Sequence, residues 1–443
     1  MMTKKYLLAF IMALISTMSL ARTFNDKEGM RVQDFFVEKN AVYVIRFSHI
    51  FVDTLIVPSN SILKFEGGSL SGPIIFRNTE LCGNVNLKHS TIGGTIKNKV
   101  FNASWICYMD GKTDDAHLIN EMIEVCEHLY FPKGRYRLIS EYNPSGIIDD
   151  VLLPSVKAHI GICKNNVSLT GEKGTEFVTY EPLGTICIFS KPNQIRNSVR
   201  NIEISNIKFS VHNNGRDFHE FMHTIKTIGV NGLIIKDCNF NDFWGDAICL
   251  SHYGDNPETG ERTRNQKVKI INNTIKGGRH FNNRNGISII NGKNVTIKNN
   301  LIKNTSKRSM PGGIDIEPNN SAYTIEHIMI ENNTLDSING SGGAIGVVSL
   351  KDGPANDITI IGNRISSSIV GININIKSEG TTAGITIKNN YVAGDTHPYN
   401  FLGEGSSKNW VITDNVFERP IKTVIPENIR VKNLKVKNNK KKD

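Results

Sequence analysis

Tryptophan occurs three times in 443 residues and proline fourteen times, and no apolar run beyond the first twenty residues is long enough to span a bilayer. These scarcities exclude a collagenous chain and a multi-span membrane protein. The seven cysteines (Cys82, Cys107, Cys126, Cys163, Cys187, Cys238 and Cys249) are an odd number at irregular spacings, and no CxxC or Cys/His cluster points to zinc. A disulfide scaffold is therefore excluded, and most of these thiols read as small buried hydrophobes. With 39% hydrophobic and 21% charged residues, the composition is that of a globular chain with length enough for a sizeable core.

A strong charge of one sign is also missing from most of the chain. The formal net charge is +10, but seven cations against Asp443 give the last 14 residues +6, and Lys4 and Lys5 add two. Residues 22–429 carry only +2, so composition alone does not argue for an acidic partner. Basic residues are not interleaved with aromatics along a face, and no glycine loop is built to cradle phosphate, so nucleic acid is not an expected partner. Lys4 and Lys5 precede an apolar run from Tyr6 to about Met18, followed by Ser19-Leu20-Ala21. That pattern reads as a secretory signal over 1–21, cleaved near Ala21, and predicts a secreted or periplasmic protein with no transmembrane segment.

What the chain has in abundance is a repeat. A pattern of apolar, any, apolar, any, Asn/Asp/Gly, usually Asn, any, apolar recurs as LIIKDCNF (Leu233 to Phe240), VKIINNTI (Val268 to Ile275), VTIKNNLI (Val295 to Ile302), IMIENNTL (Ile328 to Leu335), ITIIGNRI (Ile358 to Ile365), ITIKNNYV (Ile385 to Val392) and WVITDNVF (Trp410 to Phe417). A looser copy, IEISNIKF, begins at Ile202. The fifth position falls at 206, 237, 272, 299, 332, 362, 389 and 414, a period of about thirty. Alternation identifies short strands with one buried face. Stacked coils would place Asn273, Asn300, Asn333, Asn363, Asn390 and Asn415 in a hydrogen-bonded ladder, and Asn tolerates the left-handed backbone of a sharp corner. Cys238 and Ile207 replace Asn at one end, where the ladder should stop.

A second strand type follows in several coils: Asp246-Ala-Ile-Cys-Leu, Asn285-Gly-Ile-Ser-Ile, Gly312-Gly-Ile-Asp-Ile and Val370-Gly-Ile-Asn-Ile. Two strand types in fixed order describe a parallel β-helix filled by Ile, Val and Leu columns; a β-sandwich would show turns every 8–12 residues without a coil-length repeat.

Ahead of the coils stand Asp110-Gly-Lys-Thr-Asp-Asp115, an amphipathic stretch with Leu118, Met122, Ile123, Cys126 and Leu129, and Phe131-Pro-Lys-Gly-Arg-Tyr136. On these motifs the chain resembles the secreted pectate-lyase-like superfamily, whose members commonly open with a DGxTDD stretch, a capping helix and a strand reading like FPxGxY. The resemblance covers roughly Asp110 to Phe417 and implies an all-β, right-handed single-stranded parallel β-helix with a short N-terminal capping helix. The superfamily includes lyases, hydrolases, epimerases and phage adhesins, so the resemblance is specific for fold and broad in chemistry. The expected organisation is a strand-rich cap or first coils over 22–109, the β-helix over 110–420, and a final coil with a basic tail over 421–443.

Between Ile314 and Ile316 and beyond, Asp315 and Glu317 should emerge on one face, their Cα atoms about 6.6–7 Å apart. That lies near the lower end of the ~6.5–9.5 Å between the carboxyls of an inverting glycosidase, one of which must have a raised pKa. Asp246 is two coils away, on the order of 10 Å, and supplies a third carboxylate. The repeat is interrupted by 251–264 and 277–284, and loops on a rigid scaffold are where binding groups are placed. They and their flanks supply Trp244, His252, Tyr253, Arg279, His280, Arg284 and Asn285 as substrate-binding candidates: aromatics to stack on sugars and arginines to fork a carboxylate or sulfate.

The pairing of Arg284-Asn-Gly-Ile-Ser-Ile-Ile with Gly312-Gly-Ile-Asp-Ile-Glu-Pro-Asn-Asn320 is similar to one found in many secreted bacterial β-helix proteins, which implies a shared site at Arg284, Asp315 and Glu317. The paired-Asp and His-Gly signatures of polygalacturonases are absent, as is the calcium-binding Asp cluster of pectate lyases. The expectation is an exported polysaccharide-cleaving enzyme, a glycoside hydrolase using Asp315 and Glu317 helped by Asp246. A uronate lyase or C5-epimerase is the second reading, and a non-catalytic glycan-binding or adhesive solenoid the third. The expected partner is a polysaccharide or oligosaccharide and the expected state a monomer. No cofactor is required, although outward Asp, Glu and Asn offer oxygen ligands of the kind calcium takes.

Overall fold

In the computed structural model, the described residues are 21–23, 31–142, 157–189, 199–212, 219–251, 264–278, 283–305, 311–318, 325–351, 353–366, 368–377, 379–393, 397–418 and 429–441. They divide into two compact units, residues 1–108 with 121–130, and residues 109–120 with 131–443. Of the segment 1–21 expected as a secretory signal, residues 1–20 lie outside the described residues. Among the described residues, no helix is long and apolar enough to cross a membrane.

The first unit is built of parallel strands. Val42–Ile45 pairs with Ile62–Phe65, which pairs with the latter half of Pro73–Gly83. Left-handed Asn40, Asn60 and Asn78 mark its short coils, and Asn78 donates to Asn60 Oδ1 at 2.6 Å. Phe36, Tyr43, Phe65 and Phe76 fill its interior.

The second unit is a parallel β-helix with three sheets. One runs from Asp110–Asp114 to Lys440–Lys441. A second has nine strands, Ala158–Ile162, Gly184–Phe189, Ile225–Ile228, Ile248–Ser251, Ile287–Ile289, Ile314–Ile316, Ile345–Ser349, Val370–Ile376 and His397–Gly403. A third includes Val199–Ser205, Val230–Lys236, Gln266–Ile271, Gly292–Lys298, Ile325–Glu331, Ala355–Ile361, Ile385–Lys388, Ser406–Thr413 and Arg430–Lys437. Register holds like with like: Ile248, Ile287, Ile314, Ile345 and Ile372 follow one another across the nine-stranded sheet, all fully buried.

Two columns of left-handed residues shape each coil. Asn201, Gly232, Lys267, Asn294, His327, Asp357, Gly384, Asn409 and Asn433 form the first, and Asn206, Asp237, Asn272, Asn299, Asn332, Gly362, Asn389, Asp414 and Asn438, each five residues on, form the second, with φ between 53° and 88°. Only Gly and, at moderate cost, short polar side chains adopt this backbone readily, which explains the Asn, Asp and Gly in the second column. Lys267 and His327 bear the strain of the first.

The ladder forms at the next position. Asn273, Asn300, Asn333, Asn363 and Asn390 each donate Nδ2 to Oδ1 of the ladder Asn in the next coil at 2.9–3.0 Å, and that same oxygen also accepts the donor Asn's own main-chain N–H. The second Nδ2 proton goes to a strand carbonyl of the preceding coil, as from Asn333 to Ile297 O at 2.9 Å. The corner and the ladder are thus adjacent residues with separate tasks. At the N-terminal end Cys238 N–H meets Asn273 Oδ1 at 3.0 Å, so the ladder stops at Cys238 as expected; at the other end it extends to Asn439.

The DGxTDD stretch is a structural device. Asp110 Oδ1 accepts from the N–H groups of Lys112 and Thr113, and Asp114 accepts from those of Ala116, Ile139 and Ser140. Burial works against the Asp114 charge, but bonds from His117, Ser140 and the main chain outweigh it and hold the carboxyl well below its usual range. From helix Ala116–Val125, Asn120 donates to His159 O at 2.9 Å and accepts from Gly161 N–H at 3.0 Å, covering the edge of the first strand of the nine-stranded sheet. The basic C-terminal segment is itself a rung: Arg430–Lys437 pairs in parallel with Ser406–Thr413.

Asn333→Ala removes a buried amide that serves two coils and should lower unfolding stability by about 3 kcal/mol. Asn332→Gly, at a left-handed corner with φ 53°, should stay within about 0.5 kcal/mol of the parent. Denaturant midpoints of the two variants test the division of labour; equal losses would contradict it.

Candidate active site

The outer side of the nine-stranded sheet carries the functional candidates. Register lines up Gly161, Cys187, Lys226, Cys249, Ser288, Asp315, Gly346, Asn373 and Asn400 in one column. Asp315 lies between the fully buried Ile314 and Ile316 and so faces away from the core. It is nonetheless only 5% exposed, and Asp246 only 1%. The expectation that these carboxylates emerge into solvent is therefore corrected; Glu317, half-buried, is the one that retains access.

Close main-chain packing explains part of this enclosure. A Cβ on Gly312 would fall 1.7 Å from Gly343 O, and one on Gly346 would fall 2.9 Å from Gly342 O and 3.6 Å from Asp315 Oδ1. Glycine at these positions lets the Gly342–Gly343 turn pass directly beside the acid.

Asp246 is held from several directions. Its Oδ1 accepts the Asn285 main-chain N–H at 3.0 Å and lies 3.6 Å from Arg284 Nε, while Oδ2 lies 3.2 Å from His223 Nδ1. The same His223 nitrogen is 3.1 Å from the Asp246 main-chain N, and a Cβ on Gly245 would fall 2.9 Å from His219 O and 3.0 Å from that nitrogen. Burial opposes the charge on Asp246, but His223, Arg284 and the Asn285 N–H outweigh it, and the carboxyl is held below its usual value. Burial likewise lowers the His223 pKa, against the pull of Asp246. Arg284 also donates to Glu220 Oε1 at 2.6 Å; the two carboxylates outweigh burial and keep it firmly cationic.

Asp315 is shifted the other way. Burial, followed by repulsion from Glu317 and Asp246, raises its pKa well above 3.8, with Arg284 opposing. Its Oδ2 lies 3.4 Å from Asn285 Nδ2, which also donates to Ser288 Oγ at 2.9 Å. Asn285 Oδ1 accepts from Gly312 N–H at 2.9 Å. Fully buried, Asn285 joins its own coil to the next through its side-chain amide and to the Asp246 coil through its main-chain N–H, so it positions the acids where a sugar contact was expected.

Trp244 is corrected similarly. Only 2% exposed, it packs with Val211 and Met222 and has no ring face left for a sugar. His252, Tyr253, Arg279 and His280 lie outside the described residues. His223, Glu220 and Lys226 were not anticipated. Extending the second strand family one coil back to Ile225-Lys-Thr-Ile228 would have aligned Lys226 with Cys249; no comparable signal places His223 beside an aspartate 23 residues later.

His223, Asp246 and Cys249 bring donor atoms within 4.8 Å of one another. An imidazole, a carboxylate and a thiol suit a zinc-type ion, but they fit one poorly here. Burial pushes the Cys249 thiol far up, Arg284 already lies beside Asp246, and Lys226 is the strand neighbour of Cys249. With a single carboxylate, the trio is also unlike an oxygen-only calcium shell.

The second unit is thus a parallel β-helix with an enclosed acidic centre outside one sheet. No protein family and no curated protein matches the sequence. Among solved structures the chain is similar to PfbA, a surface adhesin of Streptococcus pneumoniae, at 14% identity over 77% of this chain and 91% of that one, with a TM-score of 0.46. It is similar also to the catalytic unit of a thermostable GH87 α-1,3-glucanase from Streptomyces thermodiastaticus (14%, 93% and 65%, TM-score 0.41). A third is the A-module of the mannuronan C-5 epimerase AlgE6 of Azotobacter vinelandii (12%, 77% and 99%, TM-score 0.41).

A carboxyl whose pKa rises on folding contributes stability that is complete below its usual value of 3.8 and lost as pH rises through the folded value. Asp315→Asn removes that loss. Its melting temperature should exceed the parent's near pH 8, with the gap closing toward pH 4; a gap constant with pH would contradict the raised pKa.

Proposed function

We propose that the protein is a polysaccharide-cleaving enzyme, most specifically a glycoside hydrolase in which Asp315 is the general acid and Glu317 the water-activating base. The observation that carries this reading is the opposite shift of two buried carboxyls, Asp315 upward and Asp246 downward, on a face that also presents the half-buried Glu317. A protonated carboxyl can donate to a departing glycosidic oxygen. Both Asp246 oxygens are already engaged by His223, Arg284 and Asn285, which suits a fixed negative charge more than a proton carrier. Glu317 follows Asp315 by two residues, with Cα atoms about 6.6–7 Å apart along the extended chain, and takes the role of the second carboxyl that activates water in an inverting enzyme. A lyase reading would use Arg284 to neutralise a uronate, but its guanidinium is occupied by Glu220 and Asp246.

The test is product analysis on a panel of neutral and acidic glycans. Hydrolysis releases reducing ends without the ultraviolet absorbance of an unsaturated uronide; elimination gives both, and an adhesin gives neither. Asp315→Asn and Glu317→Gln should each lower kcat by about 10²–10⁴. Activity should fall as pH rises through the raised Asp315 pKa and its proton is lost. Full turnover in both variants would rule out the assignment.

A further inference from the structure

The third sheet bears a cleft of about 780 Å³, separate from the acidic centre. It opens where the coil stacking is broken. Ala355–Ile361 pairs with Ile385–Lys388 from Ile358↔Ile385 onward, while the chain just before, Thr381–Ala383, pairs with Ser406–Lys408 of the next coil. Left-handed Gly384 (φ 74°) makes the step between them. Ala383 N–H reaches back to the preceding coil through a side chain, donating to Asn356 Oδ1 at 2.8 Å. The resulting volume lies within the ~300–1,000 Å³ typical of ligand sites.

The lining carries two acids and two lysines. Glu326 is paired with Lys293 Nζ at 2.9 Å, and Asp357 lies 3.2 Å from His327 Nδ1. The two lysines are differently placed. Lys408 and Lys432 are exposed register partners on adjacent strands, and neither has an acidic partner among the described residues. Like charges facing one another across a strand pair repel, so an anion seated between them relieves a cost the fold otherwise carries. Around the lysines the wall offers hydroxyls from Thr381 and Ser406, groups that can both donate to an anion's oxygens and exchange hydrogen bonds with sugar hydroxyls.

We propose that this cleft is a non-catalytic binding site for an anionic oligosaccharide, one bearing carboxylates or sulfates. Lys408 and Lys432 meet the charge, and Thr381 and Ser406 meet the ring hydroxyls. The site stands apart from the acidic centre and holds whether or not that centre hydrolyses a glycan.

Calorimetric titration of the full chain tests this with four probes: a galacturonan oligosaccharide, a sulfated galactan oligosaccharide, a neutral β-glucan oligosaccharide and inorganic sulfate. At least one anionic oligosaccharide should bind, more weakly at higher salt, and which one binds distinguishes carboxylate from sulfate. A Lys408→Ala/Lys432→Ala double variant should weaken it by about tenfold, and Lys408→Arg/Lys432→Arg should restore it. Asp315→Asn should leave it unchanged, which separates this site from the acidic centre. The proposal is overturned if neither anionic oligosaccharide binds, if the neutral one or inorganic sulfate binds equally well, or if the double alanine variant retains full affinity.

Discussion

Everything in the second unit depends on register between coils, and register is held by the buried asparagine amides. Each ladder Asn closes bonds to the coil before and the coil after, so a slip of one residue would leave several buried donors and acceptors without partners at once. A one-residue slip also exchanges the two faces of a strand. Ile314 and Ile316 would then leave the core and Asp315 would enter it. The ladder on one side of the coil is thus what fixes the carboxylates on another.

That fixed register lets the protein carry an arrangement that is poor for stability taken alone. Asp246, Arg284, His223 and Lys226 are charged or titratable groups largely withdrawn from water, and Asp315 is forced toward its neutral form. Partial compensation comes from pairing: Glu220, Arg284, Asp246 and His223 run in one chain of contacts, and Asn285 ties that chain to the Asp315 coil. The remaining cost is borne by the columns of Ile, Val and Leu beneath. Buried ionic groups of this kind are weak contributors to stability, and what they achieve here is to shift two carboxyls in opposite directions.

Much of the fold was legible because the solenoid repeats its requirements. The fifth repeat position, chosen only as a marker, is the left-handed column from Asn206 to Asp414, and the sixth is the ladder. The partner column five residues earlier was hidden, since Lys267 and His327 are unusual there and no motif announces them. Alternation correctly turned Asp315 away from the core, but alternation within a strand reports direction and is silent about what another turn lays over it. The Gly342–Gly343 turn and the burial of Asp246 and Trp244 are long-range facts. His223 was illegible for the same reason, as its meaning comes from Asp246 in a different coil.

The basic C-terminus shows how pairing converts composition into surface. Counted along the sequence, the last residues are a charged tail that reads as solvated protection for an edge. Paired in register, Arg430–Lys437 is a rung, and Lys432 stands beside Lys408 in a cleft whose lining runs from Glu326, on the strand that follows Asp315, to Lys432 four coils on. Charge that is negligible over the body of the chain is thereby concentrated on one sheet, while the centre on another sheet holds its cations against carboxylates of its own. The molecule presents two chemically different faces from one repeat, because the ladder constrains the interior and the corners while leaving the outward positions of each sheet free to differ.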